Sequence, residues 1–409
     1  MRSIGYGASS DASRVGVKLI HPTPAARNML AADPPPPGEG EERSDFRMTP
    51  LEAEIRRIIA VDGPIPVAQF MALALGHPVH GYYAARDPFG ARGDFITAPE
   101  ISQMFGELIG LWAAAAWNEM GGPGRVRLVE LGPGRGTLIA DALRAVKVAP
   151  DFREALAVDL VETSSALRQR QQTTLAHCGV PVCWHASLAE VPEKDPLIVI
   201  ANEFFDALPM HQAVRAESGW HERMVGIGDD EKLVLALHPD PILNFPAMLP
   251  ANLGTAPLGA IFEWRSDALV TDIAGRLVEH GGAALIVDYG HAGSALGETL
   301  QAVGSHSFAD VLERPGEVDL SAHVDFAALG NAAMRAGARV LGPVTQRQFL
   351  RELGIETRAA MLETAAGARA AEIDAALARL TEAGPRGMGE LFKVLALADP
   401  KLGALPGFG

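Results

Sequence analysis

The sequence predicts an α/β protein built on a doubly wound, mainly parallel sheet. From residue 125 onward, short apolar runs alternate with amphipathic helical segments, and the first run ends in a glycine-rich turn. Such alternation is typical of a parallel sheet covered on both faces, and right-handed crossovers make the sheet doubly wound. Seven strands are predicted, at 126–131, 155–162, 182–184, 195–203, 282–290, 338–346 and 389–399.

The first 47 residues are predicted to be a flexible extension. They contain the run DPPPPGEGEE at 33–42, which cannot pack into a core. The basic residues before this run faintly resemble a targeting peptide, although a secretory apolar segment is missing. We therefore expect ordered structure from about Met48 onward.

Residues 48–123 are predicted to form an N-terminal helical region that also serves as a lid. Thr49 and Glu52 have the spacing of a capping box, which indicates a helix over 49–63. The apolar residues of this segment fall on one helical face. The further helices expected in this region cover 66–76 and about 101–120.

Residues 124–409 are predicted to form the core domain, with an insert at about 211–265 between the fourth and fifth strands. Within the insert, 212–227 and 232–238 alternate between apolar and polar residues, as antiparallel strands do. Parallel sheets bind ligands beyond the carboxyl ends of their strands. We expect the insert to lie as a cap beside that edge.

The composition argues against several classes of function. The 409 residues carry 35 basic and 50 acidic side chains, a formal net charge of −15, whereas a nucleic-acid groove needs a basic stripe. No apolar run approaches the roughly 20 residues of a membrane span. Cys178 and Cys183 are expected to be reduced thiols. These features indicate a soluble protein of a cytoplasm-like compartment.

The turn after the first strand is the first candidate for a cofactor site. Gly132, Gly134 and Gly136 let a ligand approach the backbone closely. The pattern is not a dinucleotide fingerprint, because Thr137 stands where the third fingerprint glycine would be, and the Gly-Lys-Ser/Thr of a phosphate loop is absent. Glu130 disfavours a phosphate and favours a ligand that carries an ammonium group and a sulfonium.

Glu162 ends the second predicted strand, where a carboxylate can accept hydrogen bonds from both ribose hydroxyls. Taken alone, it could equally be an exposed acid at a strand end. Together with the acid and three glycines of the first turn, it is similar to the pattern of class I S-adenosylmethionine-dependent methyltransferases. That similarity implies that HASL at 185–188 forms the adenine wall.

The stretch NEFFDALP at 202–209 places polar groups where the fourth strand ends. Asn202, Glu203 and Asp206 are candidate catalytic residues, because two carboxylates can bind a guanidinium, orient one nitrogen and take its proton. The alternative for Asp206 is a helix cap. For Phe204 and Phe205, packing in the core and lining the pocket are both open.

Longer motifs spread over the chain identify a family. The chain resembles the MidA-like family of class I S-adenosylmethionine-dependent methyltransferases, and the resemblance does not cover the first 47 residues. The matching stretches are GDFITAPEISQMFGE (93–107), VELGPGRGTL (128–137), NEFFDALPMHQ (202–212), LIVDYGH (285–291) and EVDLSAHVDF (317–326).

The resemblance implies a Rossmann-like doubly wound sheet with an N-terminal helical segment and the inserted cap. It also implies S-adenosylmethionine as cofactor and a protein substrate. The mitochondrial members assemble respiratory complex I and methylate an arginine, which makes the 49-kDa-type subunit a candidate partner. The paired-glutamate loop of other protein arginine methyltransferases is not recognisable in this sequence.

Three motif segments have roles that the sequence leaves open. Thr97 and Glu100 either cap a helix or belong to a lid that binds the cofactor together with Phe95. Asp288 and His291 are candidates for substrate contact. In the segment 319–326, a helix cap at Asp319 explains the acids and the histidine without a metal, and methyl transfer requires none.

Several alternatives remain at this point. The acceptor could be another amine or another protein side chain, or the chain could be a non-catalytic assembly factor that retains the cofactor pocket. An NAD-dependent oxidoreductase is disfavoured by Glu130 and Thr137. The compartment is expected to be the cytoplasm in a bacterium and the mitochondrion in a eukaryote. The oligomeric state, including a homodimer, is open.

Overall fold

The computed structural model describes residues 48–85, 97–304, 307–384 and 387–409. The α-helices in these ranges are α1 (Pro50–Asp62), α2 (Val67–Gly76), α3 (Tyr82–Ala85), α4 (Ala98–Ile101), α5 (Gln103–Glu119), α6 (Thr137–Ala145), α7 (Pro150–Ala155), α8 (Ser165–Leu175), α9 (Phe245–Met248), α10 (Ala268–His280), α11 (Phe326–Arg335), α12 (Gln346–Glu352), α13 (Ile355–Ala366) and α14 (Ala370–Thr381). The strands are β1 (Ile65–Pro66), β2 (Val126–Leu131), β3 (Leu156–Val161), β4 (Val182–His185), β5 (Leu197–Asn202), β6 (Met210–Ala216), β7 (Gly219–Ile227), β8 (Leu233–Leu237), β9 (Ile261–Arg265), β10 (Gly282–His291), β11 (Gln301–Gly304), β12 (Ser307–Ala309), β13 (Asp319–Ser321), β14 (Val324–Asp325), β15 (Arg339–Thr345) and β16 (Phe392–Ala398).

The central sheet has the strand order β4-β3-β2-β5-β10-β16-β15. Neighbours from β4 to β10 are parallel, and β16 runs antiparallel to both β10 and β15. All the strands predicted for the core are present, so the α/β fold with a mainly parallel sheet is confirmed. The strand order reverses between β2 and β5, which is where open α/β sheets bind their ligands.

The two central strands are buried on both faces. Every residue of β2 and β5 is buried, as expected for strands in a parallel sheet between two layers of helices. Leu128 and Ile198 belong to the apolar cluster on one face, and Val129 and Val199 to the cluster on the other. Because successive side chains of a strand point to opposite faces, the apolar runs serve both layers.

Helices α5 and α6 pack together at unusually short distance. Gly106 and Gly110 lie one turn apart on α5, facing α6. A Cβ atom on Gly106 would lie 2.7 Å from Cβ of Asp141, and one on Gly110 would lie 2.7 Å from Cα of Ala142. The two glycines therefore allow near backbone-to-backbone contact, which places α6 directly after the glycine-rich turn.

A second, antiparallel sheet lies between β5 and β10 in the sequence. Its order is β1-β7-β6-β9, and β8 pairs with β7. Four of the five strands come from residues 210–265, and β1 comes from the N-terminal region. Whether this insert acts as a cap over a ligand stays a prediction. A third, short sheet has the order β12-β11-β13.

Two capping predictions can be checked directly. The Thr49 hydroxyl accepts a hydrogen bond from the N–H of Glu52 at 3.0 Å, so the predicted start of α1 is confirmed. The helix cap predicted for Asp319 is wrong, because Asp319 lies in β13. The cap is Asp325, which accepts from the N–H of Ala328 at 2.9 Å, since α11 begins only after β14.

Several elements were not predicted from the sequence. Helices α10, α11 and α13 were missed, as was the sheet β12-β11-β13. The five-residue strand β9 of the insert was also missed. The other missed strands span two to four residues each, too short for an alternation to be visible. Within the described ranges, no helix is both long and apolar enough to cross a membrane.

Candidate active site

The turn between β2 and α6 is built from residues in the left-handed backbone region. Gly132, Gly134 and Gly136 have φ angles of 63°, 51° and 79°. Side chains other than glycine rarely adopt these angles, so the glycine pattern follows from the geometry of the turn. Gly136 is the N-cap of α6. The turn therefore leads directly into the N-terminal end of a helix.

Phe204 lies against this turn. A Cβ atom on Gly132 would lie 2.7 Å from Cδ2 of Phe204. The turn that follows β5 is thus in contact with the turn that follows β2. Phe205 points elsewhere: it is 2% exposed and belongs to the apolar core. Phe204 also packs against that core, so it contacts both the turn and the core, whereas Phe205 belongs to the core.

Glu130 is a buried acid in β2 with an unused acceptor. It is 3% exposed, and its Oε2 atom has no hydrogen-bond partner among the described residues. Burial, together with the nearby charge of Glu162, raises its pKa from 4.5 to about 8. A buried acceptor without a partner is costly, which indicates a ligand that donates to it.

Glu162 lies just after β3, and Gln171 of α8 holds it. The carboxylate of Glu162 accepts hydrogen bonds from the N–H of Ser164 at 2.8 Å and from Nε2 of Gln171 at 3.2 Å. Burial raises the pKa of Glu162, and these two hydrogen bonds oppose that rise. The same Nε2 donates to the carbonyl of Gly134 at 2.8 Å. Gln171 therefore connects the acid to the glycine-rich turn.

Sequence analysis missed Gln171, although a signal was present. Gln171 accepts a hydrogen bond from Nε1 of Trp184 at 2.9 Å and is completely buried. It occupies the middle position between Leu167 and Leu175 on the buried stripe of α8. A polar residue at a core position of an amphipathic helix indicates a specific hydrogen-bonding role.

Glu203 follows β5 with a strained backbone. Its φ angle is 48°, a conformation that is rare for a residue with a side chain. Its Oε1 atom accepts hydrogen bonds from the N–H of Ala98 at 3.1 Å and from Nδ2 of Asn202 at 3.4 Å. Burial raises its pKa from 4.5 to about 7. The Oδ1 atom of Asn202 is buried without a partner in the described part of the chain.

Asp206 presents a second unused acceptor. It is 7% exposed, and its Oδ2 atom accepts a hydrogen bond from the hydroxyl of Tyr289 at 2.6 Å. Its Oδ1 atom is buried and has no partner among the described residues. Burial raises the pKa of Asp206, while Tyr289 and Arg265 oppose that rise. The alternative that Asp206 caps a helix is wrong, because a turn and then β6 follow it.

Asp288 lies beneath the turn, inaccessible to solvent. Its Oδ2 atom accepts hydrogen bonds from three successive backbone N–H groups, those of Phe204, Phe205 and Asp206, at 3.2, 2.9 and 3.1 Å. Burial beside Asp206 and Glu203 raises the pKa of Asp288. It is 0% exposed, so in this structure it holds the turn and offers no surface for the substrate contact considered above.

Tyr289 and two histidines adjoin this turn. The Tyr289 ring meets that of His323 edge-on at 5.7 Å, and the His323 ring lies 5.8 Å from that of His291. Burial lowers the pKa of His323 to about 4 and also lowers the pKa of His291. Both rings are therefore neutral at neutral pH. Sequence analysis missed Tyr289, because its hydroxyl reaches Asp206 only through the pairing of β10 with β5.

The N-terminal segment touches both turns. Thr97 precedes α4, but its side chain makes no capping hydrogen bond there. Glu100 accepts a hydrogen bond from the hydroxyl of Thr137 at 2.6 Å, and its other oxygen lies 3.8 Å from a guanidinium nitrogen of Arg135. The N–H of Ala98 reaches Glu203. The predicted lid residue Phe95 lies outside the described residues.

The predicted adenine wall, residues 185–188, begins with a histidine that contacts the neighbouring strand. His185 ends β4, and its Nε2 atom lies 2.8 Å from Oδ1 of Asp159 in the neighbouring strand β3. Asp159 also binds Arg127 at 2.9 Å. This histidine therefore binds a buried carboxylate in the neighbouring strand. Its role toward an adenine stays a prediction.

The site as a whole favours a ligand rich in donors or positive charge. Among the described residues, Glu130 beside the glycine-rich turn and Asn202 and Asp206 beside the acidic turn each hold a buried acceptor without a partner. Phe204 contacts Gly132 and so joins the two turns. The acceptor of Glu130 therefore belongs to one turn of this contact, and the acceptors of Asn202 and Asp206 belong to the other. Carboxylates in a low-dielectric setting repel phosphates and carboxylates and attract cations.

Comparisons with known proteins agree on one family. The family model described as "Putative S-adenosyl-L-methionine-dependent methyltransferase" matches residues 108–344. Protein arginine methyltransferase NDUFAF7, mitochondrial, of Danio rerio is 40% identical over 331 residues, which cover 75% of this chain and 76% of that protein. Its Drosophila melanogaster homolog is 35% identical over 395 residues, which cover 90% and 89%.

A solved structure matches over most of its length. A crystal structure of a Burkholderia thailandensis protein bound to S-adenosyl-homocysteine superposes with a TM-score of 0.78. The two sequences are 31% identical, and the match covers 88% of this chain and 94% of that chain.

Proposed function

The chain belongs to the family of S-adenosyl-L-methionine-dependent methyltransferases, and from this premise we propose that it methylates the guanidinium group of an arginine in a protein. Methyl transfer from S-adenosylmethionine is the activity of the family. The acceptor is our inference from the acidic turn after β5, and it agrees with the relatives, which are named protein arginine methyltransferases.

The residues near the glycine-rich turn fit the cofactor. Gly132, Gly134 and Gly136 leave the backbone accessible, and Glu130 holds a buried acceptor that no described residue contacts by a hydrogen bond. We assign Glu162 to the ribose hydroxyls and Glu130 to a donor group of the same ligand. Bound there, S-adenosylmethionine supplies an electrophilic methyl group on a positively charged sulfur.

Thr97 and Glu100 complete the proposed cofactor site as part of a lid. Glu100 already binds Thr137 at the start of α6, so the N-terminal segment contacts the helix that follows the turn. In the same proposal, the antiparallel insert at 211–265 is a cap beside the site. Its last strand, β9, ends in Arg265, whose guanidinium reaches the carbonyl of Asp206 at 3.0 Å.

One observation carries the choice of acceptor. The Oδ1 atoms of Asn202 and Asp206 are both buried without partners in the described part of the chain, and Glu203 lies between them in the sequence. A guanidinium has five N–H donors in one plane and stays protonated at ordinary pH. It can therefore satisfy several acceptors at once, which a simple amine does less completely.

Glu203 is the proposed general base. A guanidinium nitrogen loses a proton as it gains a methyl group, and a carboxylate with a pKa of about 7 can take that proton near neutral pH. Asp206, oriented by the Tyr289 hydroxyl, is proposed to hold the rest of the cation. Positioning of this kind supplies a large part of the rate enhancement in displacement reactions.

The protein partner follows from the family resemblance. We propose an arginine-bearing protein, and the 49-kDa-type subunit of respiratory complex I is the candidate that the MidA-like resemblance implies. The compartment is proposed to be the cytoplasm in a bacterial cell. It is proposed to be the mitochondrion in a eukaryotic cell, in line with the relatives, which are named as mitochondrial proteins.

The acceptor can be tested by product analysis. The full chain is incubated with methyl-labelled S-adenosylmethionine and a lysate from a strain that lacks the chain, and the proteins are hydrolysed to amino acids. We expect the label in methylarginine. Label in methyllysine or in a small amine would contradict the acceptor while leaving the methyltransferase activity intact. No transferred label would favour a non-catalytic assembly factor.

A further inference from the structure

The acidic turn at 203–206 is held from below by one carboxylate. Asp288 accepts the backbone N–H groups of Phe204, Phe205 and Asp206 on a single oxygen, Oδ2. Its other oxygen accepts the N–H of Tyr289 at 2.9 Å. Three successive N–H groups converge on one anion only when the backbone curls around it. The geometry of the turn is therefore coupled to Asp288.

The carbonyl side of the same turn is held by Arg265, the last residue of β9. Its guanidinium donates to the carbonyls of Asp206 at 3.0 Å and Leu208 at 3.2 Å. It also donates to the carbonyls of Ala322 at 2.7 Å and His323 at 2.8 Å, in the segment after β13. One side chain thus ties the turn to a second segment of the chain, using the rigid fork that only arginine offers.

The turn needs such support. Glu203 adopts a φ of 48°, in the left-handed region that a residue with a side chain rarely adopts. Burial, together with the nearby charges of Asp206 and Glu203, raises the pKa of Asp288, so the three acids lie close together. Without outside contacts, the backbone would relax and the carboxylates would move apart.

We propose that Asp288 and Arg265 are a pair of positioning residues that clamp the turn at 203–206. Asp288 accepts hydrogen bonds from backbone N–H groups of the turn, and Arg265 donates hydrogen bonds to the backbone carbonyls of Asp206 and Leu208. Neither residue contacts the substrate in this scheme. The clamp holds the backbone that presents Glu203 and Asp206 to the acceptor. Its effect on the reaction rests on the proposed function, whereas its effect on the backbone does not.

Hydrogen exchange tests the clamp without any assay of activity. In the full chain, we expect Asp288→Ala to speed exchange of the Phe204, Phe205 and Asp206 amides by about tenfold or more. The matched control is Asp399→Ala, which removes a buried carboxylate that accepts the N–H of Lys401 at 3.0 Å. It should leave exchange at 204–206 unchanged. Unchanged protection in Asp288→Ala would overturn the clamp.

Kinetics test whether the clamp serves the reaction. We expect Arg265→Lys to lower the rate of label transfer at saturating S-adenosylmethionine by about a hundredfold, because small displacements of reacting groups cost that much. Affinity for S-adenosyl-homocysteine, measured by calorimetry, should stay within about threefold. The control Arg276→Lys alters a buried arginine on α10, which binds Asp272 and the carbonyl of Val191, and should change neither quantity.

The outcomes separate the clamp from the proposed function. If the unaltered chain transfers no label, the proposed function fails, and hydrogen exchange still decides the clamp. Lost protection with an unchanged transfer rate would overturn the positioning role. If Asp288→Ala does not fold, Asp288→Asn takes its place. It keeps one carbonyl acceptor for the three amides, so its exchange should rise less, and exchange at the unaltered level would contradict the clamp.

Discussion

Gly132 and Phe204 are in direct contact just beyond the carboxyl ends of the neighbouring strands β2 and β5. A Cβ atom on Gly132 would lie 2.7 Å from Cδ2 of Phe204. The contact joins the turn after β2 to the turn after β5, the two neighbouring strands at which the strand order reverses. A ligand held by the first turn therefore lies beside the residues of the second.

Gly132→Ala should destabilise the chain and weaken cofactor binding. The new Cβ must displace the Phe204 ring, and the backbone stays at a φ of 63°. Gly121→Ala is the matched control, because Gly121 has a φ of 83° and no atom of the described residues lies within 4 Å of its Cβ position. We expect Gly132→Ala to cost about 1 kcal/mol or more beyond the control in denaturant unfolding.

A second substitution separates the clash from the backbone strain. The double variant Gly132→Ala/Phe204→Ala removes the ring that the Cβ meets. It should recover part of the S-adenosyl-homocysteine affinity lost in Gly132→Ala, as measured by calorimetry. Equal affinity losses in Gly132→Ala and Gly121→Ala would contradict the role of this contact.

Glu203 should set the acid side of the pH profile. Burial raises its pKa to about 7, so the carboxylate that binds and deprotonates a guanidinium forms as the pH rises through that value. Transfer measured with limiting acceptor should rise from pH 6 to pH 8, with a midpoint near 7. In Glu203→Gln we expect a loss of about a hundredfold or more, with binding of S-adenosyl-homocysteine retained.

The control for Glu203 is Glu279→Gln, an exposed acid on α10. It should keep both the rate and the midpoint of the unaltered chain. A Glu203→Gln variant that still shows the rise between pH 6 and pH 8 would assign that rise to another group and remove Glu203 from its proposed role.

Glu130→Gln should stabilise the chain in the absence of the cofactor. Between pH 4.5 and about 8, the unfolded chain releases the Glu130 proton while the native chain retains it. The free energy of unfolding therefore falls as the pH rises across this window. Below the window, burial of Glu130 does not lower the free energy of unfolding through this proton. At pH 8 the gain from Glu130→Gln should reach a few kcal/mol in denaturant unfolding and should vanish near pH 4.

The same substitution should weaken the cofactor site. Binding of S-adenosyl-homocysteine to the unaltered chain should tighten as the pH rises toward 8, because donors of the ligand favour the ionised form of Glu130. Calorimetry should find affinity with a weaker pH dependence in Glu130→Gln. An unaltered dependence would show that another group governs it.

Gln171→Leu should reduce cofactor affinity although Gln171 need not touch the cofactor. The substitution removes the Nε2 donor to Glu162 and frees the carbonyl of Gly134. We expect about a tenfold weaker affinity for S-adenosyl-homocysteine, since a lost buried hydrogen bond costs roughly 1–2 kcal/mol. Gln172→Leu, at the next and exposed position of α8, is the control and should bind normally.

Local patterns made much of the fold predictable. The strands of the core are short apolar runs, and Gly132, Gly134 and Gly136 stand out because each must adopt a positive φ. The acidic turn was noticed because Asn202 and Glu203 end an apolar strand. All these signals lie within a few neighbouring residues, so no knowledge of strand order was needed.

The support of the site was not predictable in the same way. Asp288 binds amides that lie more than 80 positions earlier in the chain, and Arg265 reaches carbonyls more than 55 positions away on either side. Both contacts depend on the pairing of β10 with β5 and of β9 with β6. A sequence pattern shows that Asp288 follows an apolar run, but not which backbone lies above it.

The short distance between α5 and α6 has an evolutionary consequence. Gly106 and Gly110 allow the two helices to touch, and α5 also covers the face of the sheet that contains Leu128. If recombination replaced α5 with an unrelated helix, the new helix would either collide with α6 or leave a void beneath the strands. Helix α5 and the segment that contains β2, the glycine-rich turn and α6 are thus expected to be inherited together.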